Sequence, residues 1–224
     1  MEILKNFIVF EGADGSGTST QLNLLKSGHK QQKSVYRGLE AAEPVIPYLS
    51  PPFYKTCEPT EGSIGRLIRQ GLRKEINLTN ETIAMLFAAD RMEHLYKPGG
   101  VVERCNRGEI VVSDRYVLSS LVYQGITCGE ELPQRLNQGF PGPELLLFFE
   151  LDPQTAQNRM AGRPEKEIYE TLDFQIEVCR RYKAILPCLA EQGVKVEILD
   201  ASKPPDEVAD EVWSHIRKMP IFIG

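Results

Sequence analysis

The chain is short of cysteine, of positive charge and of long apolar runs, and each shortage removes a class of function. Five thiols, at Cys57, Cys105, Cys128, Cys179 and Cys188, are scattered through 224 residues, odd in number and without a C-x-x-C pair. Such spacing builds neither a disulfide framework nor a zinc site, and reduced thiols in a reducing compartment are expected. Lysine and arginine total 26 against 31 acids, a net charge of -5. A general binder of nucleic acid polymers would carry a basic surface, so that class is set aside, although an anion site needs only a few well-placed arginines. No apolar run approaches membrane-spanning length, and Lys5, Asn6 and Glu11 interrupt or flank the first one. Neither a membrane span nor a signal peptide is expected, and the chain reads as cytoplasmic. Repeats and internal composition breaks are also missing. Residues 1–224 therefore read as a single domain, and 42% hydrophobic content is enough for a full core.

The stretch from Phe7 to Gln21 organises what is present. Phe7-Ile8-Val9-Phe10-Glu11 is an apolar run of strand length. It feeds Gly12-Ala13-Asp14-Gly15-Ser16-Gly17-Thr18-Ser19-Thr20, and then a helix carrying Leu22, Leu24 and Leu25. A glycine-rich turn between strand and helix aims backbone N–H groups and a helix N-terminus at a space the size of a phosphate. The spacing from Gly12 to Gly17 to Ser19 fits G-x-x-x-x-G-K-[ST], with Thr18 where the lysine should stand.

Further strands are expected near residues 53–57, 110–114, 145–151 and 194–199. Between them, helices are expected from Gly17 to about Lys26, through Ile64, Leu67, Ile68 and Leu72, and from Asn80 to Tyr96. Others run through Ser119 to Gln124, from Asp152-Pro153 through Met160, along Phe174, Val178, Tyr182 and Leu186, and along Val208, Val212 and Ile216. Gly28 to Thr56, with four prolines, is longer than the usual connection and reads mostly as loop, a candidate flap. The apolar tail Ile221-Phe222-Ile223 is a candidate cover for a sheet edge or a subunit contact. Strands alternating with helices give an α/β fold, a three-layer doubly wound parallel sheet of five strands with helices on both faces, its ligand crevice at the strand C-termini.

Four sets of residues carry two readings each. Phe87 and Arg91, four apart on one helix, are either core ring and solvated charge, or a base-stacking ring and a phosphate-gripping guanidinium. Asp114-Arg115 ends a buried strand, either as an idle surface pair or as a metal-holding carboxylate and an anion-holding arginine. Ser120, Tyr123 and Gln124 share a helix face, as ordinary polarity or as partners for a base and sugar. Arg159 to Glu167 concentrates basic residues around Gly162 and Pro164; it is either a solvated face or a hinged lid whose cations reach a transferring phosphoryl group.

Over nearly its whole length the chain resembles the thymidylate kinases of the P-loop nucleoside monophosphate kinase group. The matching pieces, in order, are Glu11 through Gln21, Glu58-Pro59-Thr60 with Ile64-Gly65, and Leu86-Phe87-Ala88-Ala89-Asp90-Arg91. They continue with Asp114-Arg115-Tyr116, Ser119-Ser120, Tyr123-Gln124-Gly125, Arg159 and Arg163, Ile168-Tyr169-Glu170, and Asp200-Ala201. The resemblance implies phosphorylation of dTMP to dTDP by ATP with Mg²⁺, in dTTP biosynthesis, by a homodimer whose candidate face is the Asn80–Tyr96 helix. It implies an arginine-bearing lid around residues 157–170. Gly12, Ala13, Asp14, Gly15, Ser16, Gly17, Thr18, Ser19 and Thr20 would bind ATP, with Ser19 and Asp114 around the metal. Phe87 would stack on thymine, and Arg91 with Ser120 or Gln124 would bond it. Tyr123 would crowd the sugar 2′ position, Asp14 would meet the 3′-hydroxyl and Arg115 the 5′-phosphate, with Glu58 and Ser119 completing the acceptor set. Asp14, Arg115, Arg159 and Arg163 would be the catalytic group. Three departures stand against this pattern: Thr18 for lysine, Cys57 where many bacterial members have arginine before Glu-Pro, and the long 28–56 segment. A nucleotide-binding protein with weakened catalysis, or a kinase for another nucleoside monophosphate, are the alternatives.

Overall fold

The computed structural model describes residues 1–25, 53–161, 169 and 171–223. The readings of residues 28–52 as loop, and of 162–168 and Glu170 as lid, Arg163 included, lie outside these residues.

Five strands, β1 (Ile3–Gly12), β2 (Phe53–Cys57), β3 (Ile110–Asp114), β4 (Gly142–Glu150) and β5 (Lys195–Asp200), form one parallel sheet in the order β2-β3-β1-β4-β5. Every pairing is parallel, with Phe10 opposite Asp114 and Leu147, and Cys57 opposite Asp114. The central strands are apolar on both faces because both are covered. Ile8, Phe10, Val112, Leu147 and Phe149 point into one core cluster, and Phe7, Val9, Val111, Leu146 and Phe148 point the other way. Helices α1 (Thr18–Leu24) and α9 (Pro205–Ile216) cover the first face. Helices α3 (Asn80–Tyr96), α4 (Val101–Asn106), α5 (Val117–Cys128) and α8 (Leu172–Glu191) cover the second. Helix α2 (Ser63–Leu72) packs on α3, α6 (Glu131–Asn137) packs on α5, and α7 (Pro153–Met160) follows β4. The three-layer, doubly wound arrangement is the one expected from the sequence.

Local chemistry explains the boundaries. Thr79 caps α3 by accepting the Thr82 N–H at 3.2 Å, and Asp152 caps α7 by accepting that of Thr155 at 3.0 Å, with Pro153 opening the helix. Strand β1 begins four residues earlier than its apolar run, because an irregularity between Leu4 and Ile8 is stabilised by the Asn6 N–H donating to Glu144 at 2.6 Å. The short helices α4 and α6 were not anticipated; neither is long enough to show a period.

The apolar tail finds its partner at the sheet edge. Helix α10 (Pro220–Ile223) brings Phe222 to a stacked contact 6.3 Å from Phe53, the first residue of edge strand β2, and Trp213 meets the same ring edge-on at 5.5 Å. A fully buried Phe→Ala change costs about 3–5 kcal/mol, and Phe222 is only partly buried. Phe222→Ala is therefore expected to lower unfolding stability by about 2 kcal/mol in urea titrations; a variant with an unmoved midpoint contradicts this packing role.

Candidate active site

The tips of β1, β2 and β3 open into one cleft of about 250 Å³. Its lining includes Asp14, Ser19, Asp114 and Arg115 at one end and Phe87, Arg91, Ser120 and Gln124 at the other, with Cys57, Arg69 and Tyr123 also on its walls. The residues that the sequence singled out in separate stretches thus share one cavity. Arg159, exposed on α7, does not line it.

The loop after β1 is shaped for an anion. Gly15 takes a left-handed φ of +82° with the Ala156 carbonyl 2.6 Å from where a Cβ would stand, so α7 lies directly against the loop. Helix α1 starts at Thr18. Thr18 itself is buried, while Ser19 and Thr20 are exposed. The Ser19 hydroxyl donates to Asp114 Oδ2. Asp114 is 8% exposed and its Oδ1 is buried without a hydrogen-bond partner among the described residues. It is no idle surface carboxylate, since an orphaned acceptor in that position asks for a cation or a donor. A hard divalent ion with mostly phosphate and water ligands needs only one or two protein oxygens, and Ser19 with Asp114 supply that donor set.

Arg115 crosses the strand tips. Its backbone φ is +72°, and its N–H donates to the Phe10 carbonyl at 2.8 Å. Nη1 donates to the Gly12 carbonyl at 2.9 Å and to Ser119 Oγ at 3.1 Å, while Nη2 pairs with Asp14 Oδ1 at 2.6 Å. Asp14 is held from the other side by Gln175, which is wholly buried. Its amide donates to Asp14 Oδ2 at 2.8 Å and to the Tyr169 carbonyl at 2.9 Å, and its oxygen accepts the Asp14 N–H at 3.1 Å. Below Arg115 sits Glu11, wholly buried. Its carboxylate accepts from Tyr116 N at 2.9 Å, Ser119 N at 3.2 Å, Ser119 Oγ at 2.7 Å and Tyr182 Oη at 2.9 Å, capping α5 and joining β1 to it. Burial pushes the Glu11 carboxyl above its ordinary value, against the pull of Arg115 and these donors.

The other end of the cleft rests on a buried ion pair. Arg91 is 1% exposed, its Nε donates to Glu58 Oε2 at 2.9 Å, and its Nη2 lies 2.7 Å from the same oxygen. The remaining donors reach Asn137 and, at 3.0 Å, Ser120. His94 Nδ1 meets Glu58 Oε1 at 3.0 Å. Arg91 is therefore neither a solvated charge nor free to grip a phosphate in a bidentate way; its guanidinium is fixed beside Phe87. Phe87, half-buried beside it, packs against the core and lines the cleft. Ser120, Tyr123 and Gln124 are buried on the same wall, and Gln124 Oε1 has no partner among the described residues, so ordinary helix polarity does not describe them.

Sequence reading missed Arg69, Asp90, Gln175 and Tyr182 as site residues. Asp90 holds the Glu58-Pro59-Thr60 turn by accepting from Thr60 N and Oγ1, both at 2.7 Å. Its place beside Arg91 in the matched helix segment was the available signal. The other three act through tertiary contacts that no local pattern announces.

The family comparison agrees with this geometry. A family model described as thymidylate kinase matches residues 41–212. The chain belongs to the thymidylate kinase family. A putative thymidylate kinase of Treponema pallidum is 36% identical over 97% of this chain and 98% of its own length. A probable thymidylate kinase of Pyrobaculum aerophilum is 36% identical over 96% and 98%, and one of Methanococcus vannielii 34% over 93% and 94%. The family model begins beyond the loop at Gly12–Thr20, whereas these relatives span nearly the whole chain. Membership makes the chain an ATP-dependent phosphotransferase and accords with the parallel five-stranded sheet.

The Glu11 carboxyl sets a pH signature. A carboxyl raised in the folded chain holds its proton more tightly folded than unfolded. Its stabilising contribution is complete below the ordinary value of 4.5 and is lost as pH climbs through the raised folded value. The stability of the wild type relative to Glu11→Gln is expected to increase on acidification toward pH 4.5 and to fall toward neutrality, read from urea midpoints across that range. A pH-independent difference contradicts the burial account.

Proposed function

We propose that this chain phosphorylates dTMP to dTDP with ATP and Mg²⁺, as one P-loop kinase domain supplying dTTP synthesis. The observation that carries the reading is the cleft itself. A phosphate-shaped loop with Ser19 and Asp114 stands at one end, an aromatic and amide pocket around Phe87, Arg91, Ser120 and Gln124 at the other, and Arg115 between them.

In this reading the thymine stacks on Phe87, with Arg91, Ser120 and Gln124 at its polar edge. Tyr123 lies against the sugar, Asp14 meets the 3′-hydroxyl, Arg115 receives the 5′-phosphate, and Glu58 and Ser119 support the acceptor side. The ATP phosphates lie on the backbone of residues 12–20. Mg²⁺, held by Ser19 and Asp114 with phosphate oxygens and water, would neutralise charge on the donor phosphates. An oxygen of the acceptor phosphate attacks the γ-phosphorus, and the bond from that phosphorus to the β–γ bridging oxygen breaks as ADP leaves. The nucleophile is already an anion, so no side chain has to remove a proton; alignment and charge neutralisation do the catalytic work. Arg115 suits that role because its fork is oriented in advance by Gly12, Ser119 and Asp14.

Thr18 leaves the loop without its lysine, and losing one such electrostatic donor costs about 3 kcal/mol in comparable sites. Arg159 and Arg163, on a lid around residues 157–170, are proposed to restore that charge. Arg159 follows Ala156 on α7, the helix already packed on Gly15. A homodimer is proposed through α3, where Met85, Met92 and Tyr96 are exposed at helical spacing. Small nucleotides are the proposed ligands, with no nucleic acid polymer and no membrane involved. The five free cysteines suit a cytoplasmic setting, and among the described residues no helix is long and apolar enough to cross a membrane.

One observation favours a second reading: Thr18 is buried and uncharged where a catalytic cation would stand, so a nucleotide binder with weakened catalysis is the alternative. Steady-state phosphorylation of dTMP, dUMP and dCMP decides. The proposed kinase prefers dTMP, Phe87→Ala raises KM for dTMP at least tenfold, and Arg159→Ala with Arg163→Ala lowers kcat about 10²-fold. Tight ATP and dTMP binding without turnover supports the alternative, and a preference for dUMP or dCMP overturns the acceptor assignment.

A further inference from the structure

We infer that His94, on α3, is a positioning residue for recognition of the acceptor's base: it holds Glu58 so that Arg91 shows one fixed donor edge to the cleft. The inference rests on the acceptor reading above. The Arg91 guanidinium stands over the rings of Tyr116 and Phe140, its carbon 5.2 and 5.7 Å from their centroids. Its contacts to Glu58, Ser120 and Asn137 leave an N–H on Nη1 without a partner among the described residues. A guanidinium only donates, so that N–H suits a carbonyl oxygen, and an amino group in the same place would face a donor it cannot bond. The direction of the donor depends on the Glu58 carboxylate, because Oε2 takes Nε at 2.9 Å and Nη2 at 2.7 Å.

His94 decides how that carboxylate is turned. It is 5% exposed and follows Arg91 by three residues on α3, so both side chains leave the same helix face. Its Nδ1 meets Glu58 Oε1 at 3.0 Å and its Nε2 meets Thr56 Oγ1 at 2.6 Å. The Glu58 carboxylate only accepts, so Nδ1 carries the proton, and the Thr56 hydroxyl donating to Nε2 selects that tautomer. The two carboxylate oxygens are thus divided, Oε1 to the imidazole and Oε2 to the guanidinium. Without the imidazole donor, the carboxylate would turn to share Arg91 between both oxygens, and the guanidinium would leave its place. The turn itself does not hang on His94. The Glu58 N–H donates to the Asp114 carbonyl at 3.0 Å, and Asp90 accepts from Thr60 N and Oγ1, both at 2.7 Å. Thr56 stands opposite Ser113 in the β2–β3 register, so the imidazole fixes the Phe87 end of the cleft relative to the sheet. No step of the phosphoryl transfer calls on this ring, and its effect therefore falls on binding.

The test reads base preference apart from stability. For wild type, His94→Leu, His94→Asn and Thr56→Val, Kd is measured for dTMP and for 5-methyl-dCMP, in which an amino group replaces the 4-oxygen of thymine. The kcat at saturating dTMP, the KM for ATP and thermal melts are taken alongside. His94→Leu is expected to weaken dTMP at least tenfold and 5-methyl-dCMP less than twofold. Its kcat and KM for ATP stay within twofold of wild type, since a contact made equally before and during reaction changes affinity and not turnover. His94→Asn, whose amide can stand in for the Nδ1 donor, is expected to recover part of the dTMP affinity, and Thr56→Val to narrow the preference by a smaller factor. Equal weakening of the two nucleotides means a structural role and overturns the inference, as does an unchanged dTMP affinity or His94→Asn no better than His94→Leu. If His94→Leu does not fold, Thr56→Val decides: a narrowed preference supports the inference and an unchanged one overturns it. If the wild type prefers another nucleoside monophosphate, the same ratio is taken with that nucleotide and its amino-for-oxygen counterpart, so failure of the acceptor assignment and failure of the His94 role are read separately.

Discussion

The Arg115 guanidinium lies across the tips of β1 and β3, tied to Gly12, Asp14 and Ser119, and the cleft is built outward from it. Beneath it, the buried Glu11 carboxylate collects two backbone N–H groups and two hydroxyls, which fixes the start of α5 against the end of β1. From α8, Gln175 pins Asp14 by backbone and side chain together and ties it to the Tyr169 carbonyl. The cost of burying Glu11 is offset only in part by its donors and by the arginine above it, which is why its carboxyl stays above the ordinary value. Loss of any of these ties leaves a buried charge or polar atom unsatisfied, so the strand tips and the site are stabilised by the same contacts.

The two ends of the cleft differ in how they handle charge. At the Phe87 end, Arg91 and Glu58 neutralise one another out of water. At the loop end, Asp114 keeps an oxygen without a hydrogen-bond partner among the described residues. That asymmetry suits a nucleoside monophosphate, which is an uncharged base at one end and an anion at the other.

Much of this was legible in the sequence because the relevant signals are local. The Val111–Val112 and Leu145–Phe149 runs read as strands because both faces of a parallel sheet are buried, and α3 was bounded correctly from Asn80 to Tyr96 by its periodicity. The spacing from Gly12 to Ser19 placed the loop. The rest depended on contacts between distant segments. Nothing around Gln175 marks it as the clamp on Asp14, 161 positions earlier. Arg69 drew no reading among the apolar positions around it, and Arg91 stood between a solvated charge and a phosphate-gripping guanidinium until Glu58, Asn137 and Ser120 were seen to enclose it. Helices α4 and α6, of six and seven residues, are too short for a period to appear.

The proposed placement of two anions end to end across one set of strand tips requires that the cleft accept a single ligand that spans both. The most direct measurement is the binding of thymidine and adenosine joined 5′ to 5′ through five phosphates, titrated against the wild-type chain with dTMP and with ATP as competitors. Linking two sites through their own phosphates makes the second contact intramolecular, so affinity about 10²-fold above either mononucleotide is predicted, with displacement by both. Binding no tighter than ATP alone, or displacement by only one of the two nucleotides, would contradict a shared cleft.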